Sequence, residues 1–123
     1  VVIYKYNFRL PEHKTIVGTG NRSDTSDPPD YCYRVRAWGE FSIAMPEHAK
    51  VLGMQEHRQE LVVWAMIDPT APKTNRRFFY VGTGQHIPLS YVGHLSHIST
   101  IPLVGGAMFH FFELDGGVPV ETN

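Results

Sequence analysis

Residues Phe78–Glu113 read FFYVGTGQHIPLSYVGHLSHISTIPLVGGAMFHFFE. Three apolar runs rich in aromatic and β-branched residues are separated by Gly82-Thr83-Gly84 and by Gly105-Gly106. Short runs of this kind between glycine turns predict strands, here over Arg76–Val81, Tyr91–Ile98 and Ala107–Leu114, with Pro102–Gly106 as a connection. Both faces of Ala107–Leu114 are apolar. Such a strand is either central in its sheet or covered on one face by another subunit, and this is the main sequence argument for a homo-oligomer.

The rest of the chain repeats the pattern. Val1–Leu10 alternates, with Val2, Tyr4, Tyr6, Phe8 and Leu10 on one face, which predicts a half-buried strand ended by Pro11. Thr15–Asp30 is dense in Gly, Asn, Ser, Asp and Pro and is expected to be a flexible loop. Tyr31–Ile43 alternates as one strand, with Tyr33, Val35, Ala37, Phe41 and Ile43 opposite Arg34, Arg36, Glu40 and Ser42; Pro46 breaks the run. Ala49–Met54 is a short strand, Glu56–Glu60 a polar turn, and Leu61–Ile67 a central strand apolar on both sides. Asp68-Pro69 stops it, and Thr70–Asn75 is a loop. The only helical window, Pro46–Gln59, has no sustained apolar stripe. The expected fold is mainly β: a single antiparallel sandwich or small barrel of about seven strands over 1–115, with 116–123 as a tail.

Composition narrows the function classes. The 123 residues are 42% hydrophobic and 19% charged, with a formal net charge of −1. That balance argues against a general nucleic-acid binder, which would be basic. No apolar run approaches the ~20 residues of a membrane helix, so no membrane association is expected. Val1–Leu10 alternates where a secretory signal would be continuously apolar. Cys32 is the only cysteine. A single thiol makes neither an internal disulfide nor a structural zinc site, and a reducing, cytoplasmic setting is the simplest reading.

Several segments in order resemble a family of small uncharacterised proteins encoded by bacteriophages and prophages. They are Ile3–Tyr6 (IYKY), Met45–Leu52 (MPEHAKVL), Leu61–Pro69 (LVVWAMIDP), Gly82–Ile87 (GTGQHI), Tyr91–Gly93 (YVG) and Gly105–Glu113 (GGAMFHFFE). Family members read I-Y-K-Y, M-P-x-G-A-x-I-L, L-W-A-L-V-D-P, G-T-G-H-x-I, Y-I-G-T and G-G-x-x-x-H-V-F-E. The chain departs from them where Glu47-His48 replaces a tight-turn glycine, where Gln85 precedes His86, and where His94 stands for Thr. Pro11–Glu40 is longer than the usual first loop, consistent with an added hairpin. The resemblance implies a β-rich, phage-encoded protein acting in the host cytoplasm or in the virion. It implies no catalytic residue.

Seven histidines invite a metal or catalytic reading. His94 and His97 are three apart and would lie on opposite faces of a strand, so no converging ligand set is expected and no metal or other cofactor is assigned. His110 and Glu113 likewise diverge. No nucleophile elbow is present, so no catalytic residue is assigned. Gly82-Thr83-Gly84 could aim backbone N–H groups at an anion, with His86 behind the turn and Arg76 and Arg77 before it. Arg34 and Arg36, on the face that carries Trp38, would suit a phosphate or a nucleobase. The plain alternatives are a glycine-rich turn and a solvated strand face.

Three function classes follow. The first is a non-enzymatic accessory protein that sequesters a small anionic, nucleotide-like ligand, as in counter-defence. The second is a virion or assembly component acting through protein contacts. The third is a small hydrolase using His86, His97 or His110.

Overall fold

The computed structural model describes residues 1–17, 30–58, 60–103 and 106–116; for 12–17 and 30–34 it describes the backbone alone. Among the described residues nine strands run in the order β1 (Val2–Phe8), β2 (Glu12–Val17), β3 (Asp30–Val35), β4 (Trp38–Pro46), β5 (Lys50–His57), β6 (Glu60–Ile67), β7 (Lys73–Gly82), β8 (Leu95–Pro102) and β9 (Met108–Leu114), with a 3-10 turn at Leu89–Tyr91. Seven of them form two antiparallel sheets, β1-β6-β5 and β4-β7-β9-β8, and β2 pairs with β3 as a separate hairpin. The mainly β, sandwich-like expectation holds. No described helix is long and apolar enough to cross a membrane.

Period-two alternation fills the space between the sheets. Tyr6 and Phe8 of β1, Val63 and Ala65 of β6, and Met54 of β5 meet Phe41 and Met45 of β4, Phe78 and Tyr80 of β7, and Phe109 and Phe111 of β9. Phe8 stacks on Phe41 across the gap, with centroids 4.8 Å apart and planes at 9°. On one side the sheets meet directly. The register of β5 shifts between Val51 and Gly53, that of β8 shifts between His97 and Ser99, and the Met54 N–H donates to Ser99 Oγ at 3.0 Å. Bulges of this kind bend strands toward one another and close a seam.

Several expectations need correction. Tyr31–Ile43 is two strands. The alternation continues through Arg36-Ala37, but the chain leaves its hairpin there for the four-stranded sheet: Arg36 N–H donates to Pro11 O and Ala37 O accepts from Gly82 N–H. The loop expected over Thr15–Asp30 is shorter, because Thr15, Ile16 and Val17 pair with Cys32, Tyr31 and Asp30. Residues 18–29, and 117–123 of the tail expected over 116–123, lie outside the described residues. β2 and β3 place a hairpin within Pro11–Glu40. The strand expected from Tyr91 starts at Leu95, since Tyr91 belongs to the 3-10 turn. β5 extends to His57 and β7 begins at Lys73, so the polar turn before β6 and the loop before β7 are both shorter than expected. His48 takes φ 64°, the left-handed conformation that glycine adopts without a steric penalty.

The argument for a partner on Ala107–Leu114 also changes. β9 is a central strand. Its outer face, with Phe112 and Leu114, is covered by Ile87 and Tyr91 of the chain's own 83–94 segment, in a second small core with Phe79, Val81 and Leu95. β6 is central as expected. Inward, Val63, Ala65 and Ile67 are buried; outward, only Val62 is fully covered and Met66 is 38% exposed.

Candidate functional site

The outer face of the β4-β7-β9-β8 sheet carries the polar chemistry. The 83–94 segment lies across its middle. Tyr91 N–H donates to Pro88 O at 3.0 Å and His94 N–H to Tyr91 O at 3.0 Å, while Gly93 takes φ 89° to turn the chain into β8. These bonds set the Tyr91 ring 4.6 Å from Phe79 and 5.9 Å from Trp38. Beyond Tyr91, His94 Nδ1 lies 2.8 Å from Asp115 Oδ1.

On the β4 side of the segment is a cleft of about 510 Å³ lined by Pro11, Arg36, Trp38, Glu40 and Tyr91. Glu40 is its buttress. Its Oε1 accepts from Arg77 Nη2 at 2.6 Å and Nε at 3.2 Å, and its Oε2 accepts from the Tyr91 hydroxyl at 2.9 Å. The carboxylate charge is therefore balanced within the wall. Trp38 is 38% exposed. Arg36 is exposed, and its guanidinium is paired with none of the described carboxylates.

On the β8 side runs a chain of four side chains. Thr83 Oγ1 lies 2.6 Å from His110 Nε2; His110 Nδ1 lies 2.9 Å from Thr100 Oγ1; and Thr100 Oγ1 lies 3.0 Å from His97 Nε2. Thr100 and His110 are directly opposed across β8 and β9, which is what brings the hydroxyl to the ring. The His97 ring meets Phe112 edge-on at 5.4 Å. Both ring nitrogens of His110 face threonine hydroxyls.

The eight residues singled out from the sequence do not form one site. In the Gly82-Thr83-Gly84 turn, Gly82 N–H is spent on Ala37 O, Thr83 N–H on Met108 O, and Gln85 N–H on Gly82 O, at 2.9, 3.0 and 3.1 Å. The turn keeps its shape through Gly84 at φ 85°. His86 is exposed on the segment beyond it. Arg76 and Arg77 point to opposite faces of β7. Arg76 grips Glu113 through Nε at 2.7 Å and Nη2 at 2.9 Å and gives Nη1 to Ala49 O at 2.7 Å, a bidentate and backbone-anchored arrangement that ties β7, β9 and the start of β5. Arg77 belongs to the cleft wall through Glu40. Arg36 lies in the cleft itself, and the side chain of Arg34 is outside the described residues. Glu40, Tyr91 and Thr100 were missed. Their partners are far along the chain or across a ladder, and nothing local to them signals a role.

Among the described residues no three His, Cys, Asp or Glu side chains gather as metal ligands would. Residues 31–121 match the family described as Domain of unknown function (DUF7352). The chain belongs to the DUF7352 family. The DUF7352 match takes in β3 from its second residue and β4 through β9, and with them Arg36, Trp38, Glu40, Arg77, Tyr91 and the whole histidine–threonine chain; β1 and β2 precede it. No curated protein and no solved structure matches the chain.

Proposed function

We propose that this protein is a non-enzymatic accessory protein that binds and sequesters a small anionic, nucleotide-like ligand in the Arg36–Trp38 cleft. The observation that carries the reading is Arg36, an exposed guanidinium paired with no described carboxylate, lining the same cleft as a part-exposed indole. A guanidinium offers a fork of N–H donors matched to phosphate oxygens, and an indole face accepts a planar base. Glu40 would ordinarily repel an anion here, but Arg77 and the Tyr91 hydroxyl already occupy both of its oxygens. The resemblance to phage-encoded proteins supplies a setting, in which the ligand is a nucleotide signal of host defence met in the host cytoplasm. The test is calorimetry with a panel of nucleotides and cyclic nucleotides on wild type, Arg36→Ala, Trp38→Ala, Arg34→Ala and Arg77→Ala. Arg36→Ala and Trp38→Ala are each expected to weaken binding about tenfold, close to 1.4 kcal/mol. If wild type binds none of them at up to ~1 mM, sequestration loses its basis.

A hydrolytic reading has one observation in its favour, the 2.6 Å approach of Thr83 Oγ1 to His110 Nε2, the spacing of a hydroxyl nucleophile and its base. Turnover of an ester or phosphoester that disappears in both His110→Ala and Thr83→Val would establish it over sequestration.

A further inference from the structure

Exposed apolar side chains concentrate on one sheet. Val1, Val2, Ile3 and Tyr4 are 87, 49, 61 and 52% exposed, and Leu52 and Met66 on the same sheet are 45 and 38% exposed. β1 pairs with β6 without a register shift from Val2↔Ile67 to Phe8↔Leu61, contains no proline, and has no second neighbour among the described residues. β5, the opposite outer strand of that sheet, is bulged and fastened to β8. Among the described residues β1 is therefore an open strand edge whose N-terminal half is apolar on both faces, and open edges of this kind accept another strand.

We infer that the occupant is a second copy of this chain, paired antiparallel β1 to β1 about a two-fold axis through Tyr4, making one continuous six-stranded sheet. The sequence of β1 is self-complementary in that register. A two-fold axis perpendicular to the sheet keeps inner side chains facing inner ones, so the axis must pass through a residue. Lys5 is the only charged residue of β1. An axis through Lys5 would oppose two ammonium groups, which like charges directly across a ladder disfavour. An axis through Tyr4 opposes Tyr4 to the partner's Tyr4, Val2 to the partner's Tyr6 and Ile3 to the partner's Lys5. The inner row is then entirely aromatic or β-branched, the pairing that stabilises ladders best. On the outer face, Ile3 lies between Met66, its own ladder partner, and the aliphatic stem of the partner's Lys5. The contact is isologous and uses the β1 edge of both chains, so it closes at two copies.

The experiment is light scattering on the full chain at micromolar concentration, with circular dichroism to confirm folding. Wild type is expected at twice 13.9 kDa. Ile3→Lys, at an exposed position, sets like charges against the partner's Lys5 and is expected to halve the mass with an unchanged spectrum. Ile3→Lys combined with Lys5→Glu sets opposite charges at both symmetric pairs and is expected to restore the dimer, which a merely destabilised fold would not do. A wild-type monomer overturns the inference, and so does a dimer that persists in Ile3→Lys or a larger assembly with other proteins that leaves this edge unpaired.

Discussion

The Tyr91 hydroxyl donates to the Glu40 carboxylate at 2.9 Å across 51 residues of sequence. That bond fastens the 83–94 segment to β4. It also fills the second oxygen of a carboxylate whose first is held by Arg77, so the segment that covers β9 and the wall of the cleft share one anchor.

Tyr91→Phe keeps the ring against Phe79 and deletes the bond to Glu40. It is expected to cost about 1 kcal/mol, or roughly 4 °C in melting temperature for a domain of this size. Urea titration of Tyr91→Phe, Glu40→Gln and the double variant measures the coupling. Single losses that simply add would show that the hydroxyl and carboxylate do not interact.

Tyr80 presents the opposite case. It is fully buried and its hydroxyl has no hydrogen-bond partner among the described residues. Its ring lies where a side chain on Gly39 would begin: a Cβ there would meet Cε1 at 3.0 Å and the hydroxyl at 3.1 Å. Burial pushes the phenol up to about 12 from its ordinary 10.0, against the pull of Arg36. Because the folded state holds this proton more tightly than the unfolded chain, the contribution is complete below pH 10 and is lost as pH rises toward 12, by about 2 kcal/mol. Tyr6, also raised by burial, adds a contribution of the same sign. Tyr80→Phe is expected to stabilise the protein at neutral pH by about 1 kcal/mol, since it removes an unpaired buried hydroxyl, and to flatten most of the alkaline loss. Denaturation at pH 8 and pH 11.5 checks both. Destabilisation at pH 8 would mean that the hydroxyl does have a partner, such as a buried water.

The parts of the fold legible in the sequence are those whose apolar pattern matches the faces they bury. β1 follows from alternation because one of its faces meets the core, and β7 and β9 follow from apolar runs bounded by glycine turns because each separates two cores. The break at Arg36-Ala37 was illegible because the alternation YRVRAWGEFSI continues through it while the backbone changes partners. Tyr91 read as strand because its burial was visible and its support was not: a turn from Pro88, a positive φ at Gly93, and a glutamate 51 residues away. Arg76 and Arg77 were grouped as one anion site on adjacency, although period two already sets neighbours on opposite faces, where each found its own carboxylate.

The chain from Thr83 through His110 and Thr100 to His97 has a consequence that depends only on proton counting. Thr100 has one hydroxyl proton and two imidazole neighbours. If it donates to His110 Nδ1, then His97 must donate from Nε2, and His110 carries its own proton on Nε2. If it donates to His97 Nε2, then His110 must donate from Nδ1, and His97 carries its proton on Nδ1. As long as Thr100 keeps its proton within the chain, both directions give the two neutral histidines one tautomer. Nitrogen-detected NMR at a pH where both are neutral is expected to find them matched, and Thr100→Val is expected to release the match while costing about 1 kcal/mol at most, since the site is exposed. Opposite tautomers in wild type would mean that Thr100 accepts from both rings and turns its own proton to solvent. The direction found also bears on chemistry: only with both protons on Nδ1 does Thr83 donate to His110 Nε2, the polarity a threonine nucleophile needs. Protons on Nε2 make Thr83 an acceptor, turn its own proton toward Met108 O, 3.5 Å away, and leave the hydrolytic reading without its nucleophile.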